Sequence, residues 1–200
     1  MEKLKISTRK IAIIGMLGAI SIFLGMTPLG IIPIPFSPAR ATIMHIPVII
    51  GSILEGPVVG LFVAFIFGAF SMYQGFTQPG PTNFVFMDPL VAILPRLLIA
   101  LTSYYSYRWV KGWTNRNQKL DSIPTMVAAA IGTLTNTVGV LFMIYIRHGK
   151  EFASALNIDY KAVKGVIAGV ALTNGLPEVI VGVIIVTAVI RSVLKLRKNE

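Results

Sequence analysis

Apolar residues run along this 200-residue chain in long blocks, separated by short stretches that are polar or rich in Gly and Pro. The blocks fall at about 10–26, 42–54, 57–74, 89–110, 124–146 and 166–190. Most approach the length of about 20 residues that a helix needs to cross the hydrocarbon core of a bilayer. The block at 42–54 is short for a full crossing. The segment between the first two blocks, TPLGIIPIPFSPARA at 27–41, holds four prolines. Each proline lacks an N–H and clashes with the preceding turn, so this segment cannot be a regular helix. Its apolar character predicts packing on the protein. Glu55-Gly56-Pro57 reads as a tight turn, and GFTQPGPTNFVFMD at 75–88 as a second Gly/Pro-rich connection. The polar stretches at 111–122 and 147–165 read as loops, and RSVLKLRKNE as a tail. The pattern predicts an all-α membrane protein, a single domain over 1–200 with six transmembrane helices. The two Gly/Pro-rich segments and the 147–165 loop would lie together on the outer face, as a lid over a pocket.

Composition agrees with the pattern. The chain is 54% hydrophobic and 13% charged, against about 25% charged in a typical soluble domain. The absence of cysteine excludes disulfides and thiolate metal sites. The formal charge of +10 would point to nucleic acid in a soluble protein. Here the basic residues flank apolar blocks, which is a topology signal instead. Six spans place both termini on one side, with twelve Lys and Arg residues there and five on the other, so both termini should be cytoplasmic. The basic start MEKLKISTRK and the apolar run after it look like a signal peptide, but no small-x-small cleavage site follows, which favours an uncleaved first helix.

Candidate chemistry lies in polar residues at membrane depth. The stretch VALTNGLPEVIVG at 170–182 places Asn174 and Glu178 at i and i+4, on one helix face. Pro177 between them frees a carbonyl and should kink the span, with Thr173 available to satisfy it. At 1.5 Å per residue, Arg96, Asn136 and Glu178 all sit roughly 18–20 Å above the cytoplasmic ends of their spans, and Asn174 roughly 25 Å. Intramembrane ionisable groups usually pair and face the protein interior. Arg96 and Glu178 at matched depth are therefore candidate partners, either as a staple between two spans or as part of a site. Asn136 and Asn174 read as ligand contacts or as interhelical hydrogen-bonding groups. His45 lies one turn inside its block, as a structural residue or a ligand contact, and His148 lies in an outer loop. No second His or paired carboxylate stands at metal-ligand spacing, so no metal is expected. Phe36, Tyr73, Phe76, Phe84 and Phe86 suit either pocket walls or an interfacial belt. In the first block Ala12, Gly15, Gly18 and Ala19 are small residues at i+3 and i+4 spacings, a surface on which another membrane protein could dock. No GxSxG, HExxH or phosphate-cradling Gly loop is present, so catalysis finds no motif and an ATP-driven process would need a partner's engine.

The six blocks, the small-residue face, ATIMHIPVIIGSILEGPVVG at 41–60 and TNGLPEVI at 173–180 together resemble the substrate-binding (S) components of energy-coupling-factor (ECF) vitamin transporters, over essentially the whole chain. The pantothenate-specific members are the most similar; riboflavin-specific members carry a Lys- and Asp-containing version of the first motif. The resemblance implies a multi-pass cell-membrane protein with a vitamin pocket beneath its outer loops, gated by residues 27–41. It implies docking through Gly15, Gly18 and Ala19 on a membrane coupling subunit joined to two ATPases, although the family's small-residue motif is usually Ala-rich. The chain itself would bind no cofactor, ATP being used by its partners. Pantothenate has a carboxylate, two hydroxyls, an amide and a gem-dimethyl group. Asn136, Asn174, Asn83, His45 and Thr135 could serve its polar groups, and Arg96 or Arg40 its carboxylate. Another vitamin (riboflavin, folate, a pyridoxine or pyrimidine precursor, niacin) is an alternative ligand. A stand-alone carrier, or an intramembrane enzyme using Glu178 or His45, is an alternative class.

Overall fold

The structure is a computed structural model that describes residues 7–32, 41–78, 80–114 and 122–198. Helix α1 spans Thr8–Met26, capped by the Ser7 hydroxyl on the Lys10 N–H. A 3-10 turn at Pro28–Gly30 leads into strand β1, Ile31–Ile32, which pairs antiparallel with β2, Ala41–Thr42, in the register Ile31 to Thr42. Helix α2, Ile46–Glu55, turns through Gly56 into α3, Pro57–Thr77. Gly56 has φ 95°, a conformation open to glycine at little cost, and Pro57 opens α3 where its missing N–H does no harm. A 3-10 turn at Asn83–Met87 precedes the short α4, Pro89–Ala92. Helices α5, Leu94–Thr114, α6, Ile123–Ala155, and α7, Val163–Lys198, complete the bundle.

Five helical segments are long and apolar enough to cross a membrane: Thr8–Met26, Pro57–Thr77, Pro89–Thr114, Ile123–Ala155 and Tyr160–Arg197. The ten residues of α2 reach only about 15 Å, half of the hydrocarbon core. Its residues Ile46–Ser52 are all buried. A half-length helix is stable at that depth because protein, not lipid, surrounds it. Val48 and Ile49 of α2 pack with Val63 and Phe67 of α3, Ile99 of α5 and Ile190 of α7 in the main core. A second cluster joins Val85, Val91, Val140, Ile144, Phe152 and Val163 at the other end.

The stretch at 147–165 differs from the expected loop. Helix α6 continues to Ala155, and α7 begins at Val163 after a 3-10 turn at Tyr160–Ala162. The charged residues near 147–151 mark departure from the apolar block, but Phe152 and Ala153 are buried in the second cluster and keep the helix folded beyond it. Its backbone is non-helical only at His148 (φ −132°, ψ 22°). The tail, likewise, is helical to Lys198. Pro177 lies inside α7 without ending it.

The bundle is inverted relative to a soluble protein. Leu172, Leu176, Ile180 and Ile184, spaced by four, form an exposed apolar stripe on α7, while Val170, Asn174 and Glu178 turn inward. The small residues of α1 divide between two faces. A Cβ on Gly18 would lie 2.8 Å from Ile66 Cδ1, so Gly18 is a packing contact with α3, whereas Gly15 and Ala19 are exposed. The three expected docking residues therefore do not form one surface, because i+3 and i+4 positions flank a helix face on opposite sides.

At one end of the bundle the Glu55 carboxylate accepts from Arg9 of α1 at 3.0 Å and from Arg197 of α7. The α2–α3 hairpin is close-packed enough that a Cβ on Gly60 would stand 2.0 Å from Ser52 Oγ and 3.1 Å from its Cα. Gly60→Ala is predicted to destabilise the protein by about 1–3 kcal/mol, the usual cost of overpacking. A thermal unfolding midpoint in detergent lower by several degrees would register it; an unchanged midpoint would mean the hairpin is loose.

Candidate functional site

Buried positions on α6 recur at Thr133, Asn136, Thr137, Val140, Leu141 and Ile144, and on α7 at Val170, Asn174 and Glu178. These are helical spacings, so each helix presents one mixed face to the interior. Between those faces, α3, α5 and the β1–β2 ribbon lies a cavity of about 260 Å³. Arg96, Asn136, Thr137, Asn174, Glu178 and Gln74 bring polar groups to it. Phe67, Phe86, Val140, Leu141, Ile144 and Phe152 supply the apolar wall.

Arg96 is 5% exposed. Its position follows from the neighbouring proline. Pro95 has no N–H to offer the carbonyl of Val91 four residues back, and Arg96 Nη1 donates to that carbonyl instead, at 2.9 Å. The guanidinium carbon lies 5.2 Å from the centre of the Phe67 ring and 5.3 Å from that of Phe86, within cation–π range. Its Nε is buried without a hydrogen-bond partner.

The expected Arg96–Glu178 ion pair is not formed. Among the described residues the ion pairs are Arg9–Glu55, Arg197–Glu55, Arg147–Asp88 and His148–Asp88. Glu178 Oε1 accepts the Thr42 backbone N–H at 2.8 Å, and Oε2 accepts the Thr137 hydroxyl at 2.5 Å. Matched depth brings both charges to one cavity, but direction around each helix axis decides contact, and Glu178 is turned toward β2 and α6.

The other predicted residues divide. Asn136, 7% exposed, lines the cavity with Oδ1 lacking a partner. Asn174 lines it too and accepts from the Thr173 hydroxyl at 3.3 Å. Thr173 donates also toward the Val170 carbonyl, at 3.4 Å. Asn83 sits among the lining residues of the connection after α3, its Nδ2 bonded to the Gln78 carbonyl at 3.1 Å. His45 is fully buried but lies outside the cavity lining; its Nε2 is 3.0 Å from Thr133 Oγ1, which ties the start of α2 to α6. Thr135 also lies outside the lining, bonded to the Ile131 carbonyl at 2.8 Å and to Thr102 Oγ1 of α5 at 3.0 Å. Arg40 lies outside the described residues, as does Phe36. Tyr73 and Phe76 are exposed, so they are not cavity walls.

Sequence reasoning passed over Thr137 and Gln74. Thr137 is one turn from Thr133 and next to Asn136, so helical phase alone would have preferred it to Thr135. Gln74 Nε2 bonds the Gly25 carbonyl at 2.9 Å and so joins α3 to the end of α1 at the cavity edge. Among the described residues no group of three or more His, Asp or Glu is placed to hold a metal. What the cavity offers is a cationic donor, an amide acceptor and an apolar wall, which together suit a small ligand with a carboxylate and at least one donor.

Near the cavity, Asp88 caps α4 through the Leu90 N–H at 2.9 Å and accepts from Arg147 Nε at 2.9 Å, with His148 Nε2 at 3.2 Å. This fixes the 83–92 connection on α6 where its helix is irregular.

Two comparisons bear on these features. Residues 9–190 match the family described as ECF transporter, substrate-specific component. The chain is 31% identical to the pantothenic acid transporter PanT of Lactococcus lactis subsp. cremoris, with 83% of each chain covered. It is 28% identical to the pantothenate transporter PanT of Leuconostoc mesenteroides subsp. mesenteroides, over 84% of this chain and 80% of that one.

The Asp88 cluster has a pH signature. Burial pushes its carboxyl up, but the hydrogen bonds from Leu90 and Arg147, the Arg147 charge and the His148 contact together outweigh it and hold the group below its ordinary value. A depressed folded-state pKa means that the unfolded chain binds the proton first. The stabilisation is full above the unfolded value of about 3.9 and is lost as pH falls through the lower folded value. Asp88→Asn should lower the melting temperature at pH 7 and flatten its decline in the acid range. A variant that melts like wild type at pH 7 and throughout the acid range would show that the cluster does not hold the connection.

Proposed function

The chain belongs to the family of ECF transporter substrate-specific components, and from that membership we propose that its central cavity is a high-affinity pantothenate site. The observation that carries the reading is Arg96, a buried cavity-lining guanidinium whose Nε lacks a partner and which forms no ion pair among the described residues. A ligand carboxylate completes it with a charge-assisted hydrogen bond. The pantothenate amide or a hydroxyl donates to Asn136 Oδ1, Asn174 and Thr137 contact the remaining polar groups, and the gem-dimethyl group packs against Val140, Leu141 and Ile144. The cavity volume of about 260 Å³ falls just below the range of about 300–1,000 Å³ common for drug-sized ligands, which favours pantothenate over the larger riboflavin and folate. Both curated relatives are named for pantothenate transport.

In this reading the short α2 counts as the sixth membrane helix and both termini are cytoplasmic. The convergence of Arg9 and Arg197 on Glu55 supports a shared side for the chain ends. The exposed face of α1, with Ala12, Gly15 and Ala19, docks on a membrane coupling subunit joined to two ATPases. ATP is spent there, and this chain binds no cofactor.

Arg96→Ala should weaken pantothenate binding about 100-fold, or about 2.7 kcal/mol, and Arg96→Lys should recover only part of it because the planar fork is lost. Asn136→Ala should cost about tenfold or more, the price of one lost hydrogen bond in a desolvated site. Calorimetric titration of the folded variants checks both; unchanged affinity removes the residue from the site. In vesicles, accumulation of pantothenate should require the coupling subunit and ATPases, and accumulation by this chain alone would instead make it a stand-alone carrier.

A further inference from the structure

We infer that Glu178 is a positioning residue for the cavity: its carboxylate pins the β1–β2 ribbon to α7 and α6, fixing the part of the wall carried by Ile31 and Thr42. Three elements meet at this one side chain. Glu178 belongs to α7 and is 4% exposed. It accepts from the Thr42 backbone N–H in β2 at 2.8 Å and from the Thr137 hydroxyl in α6 at 2.5 Å. An ionised carboxylate only accepts, and both of its partners are donors.

The ribbon needs such a fastening. It consists of two residue pairs, Ile31 with Thr42 and Ile32 with Ala41, extended by the Ile43 N–H on the Gly30 carbonyl at 3.0 Å. A two-stranded ribbon of this size has no independent stability. Ile31 and Thr42 nevertheless line the cavity, so the shape of that wall depends on what holds Thr42. A charged acceptor makes a hydrogen bond roughly twice as strong as a neutral one, and Glu178 supplies it from the inward face of a long helix.

The rival role for Glu178 is as a charge, balancing Arg96 or meeting the ligand. Reach and charge can be separated. Glu178→Gln keeps the reach: its Oε1 can accept from Thr42, its amide can donate to Thr137 Oγ1, and the Thr137 hydroxyl can turn fully to the Thr133 carbonyl, already 3.3 Å away. Glu178→Asp keeps the charge but draws the acceptor back by about 1.5 Å. The effect on ligand binding rests on the pantothenate reading of the cavity; the pin itself does not.

The test is residue-resolved amide hydrogen exchange on the ligand-free, full-length protein in lipid nanodiscs, paired with pantothenate dissociation rates. Exchange at Thr42 should rise about tenfold or more in Glu178→Asp and Glu178→Ala, with α7 still protected, and stay within about threefold of wild type in Glu178→Gln. Pantothenate dissociation should follow the same ranking. The opposite ranking, with Asp like wild type and Gln like Ala, would show that charge matters and overturn the proposal. Unchanged Thr42 exchange in Asp and Ala would overturn it as well. Asp and Gln decide the matter if the Ala variant fails to fold. The predicted exchange ranking across the variants, with no pantothenate binding by wild type, would support the pin and overturn only the ligand reading.

Discussion

A guanidinium held at membrane depth is costly, about 2.5–3.5 kcal/mol at a helix centre on insertion scales, unless its donors and charge are met. The architecture around Arg96 meets that demand only in part. Pro95 leaves the Val91 carbonyl open, Arg96 takes it, and Phe67 and Phe86 lay their ring faces against the cation. Glu178 lines the same cavity but spends both carboxylate oxygens on Thr42 and Thr137. The result is a buried cationic group that lines a cavity and keeps one N–H without a partner. In the proposed role, a ligand that brings an anion would remove the residual cost, and affinity would follow from leaving that cost in the empty protein.

The rest of the bundle can be understood as what makes such a polar cavity tolerable in lipid. Helices α6 and α7 each carry an apolar stripe outward and a mixed face inward, so one helix serves two solvents. Helix α2, only ten residues long, packs Val48, Ile49 and their neighbours into the main core. His45, just before its start, is tied to Thr133 through Nε2 and lies outside the cavity lining. At the other end, Asp88 ties the connection before α5 to the irregular point of α6 through Arg147 and His148. Each of these contacts satisfies a polar group while setting the position of a wall.

Much of this was legible in the chain. Block lengths and Gly/Pro punctuation placed most of the helices, and counting residues along each span brought Arg96, Asn136 and Glu178 to a common depth with Asn174 one turn further out; all four line one cavity. Counting gives height and not azimuth. It could not tell that Glu178 turns toward β2 rather than toward Arg96, or that Gly18 faces α3 while Gly15 and Ala19 face outward. Thr135 and Thr137 look alike in sequence and point to different neighbours, one to Thr102 and one to Glu178. The long extension of α6 was hidden for another reason. Charged residues end an apolar block but need not end a helix when later residues such as Phe152 find a core.

The central claim is that a monocarboxylate vitamin completes Arg96. The most direct measurement is a calorimetric titration of the purified, ligand-free chain in detergent with pantothenate, riboflavin, folate, pyridoxine and niacin in parallel. The account predicts saturable one-to-one binding of pantothenate at submicromolar concentration, corresponding to more than about 8 kcal/mol, with none of the other four approaching it. Tight binding of a different vitamin, or of none by a protein shown to be folded, would contradict it.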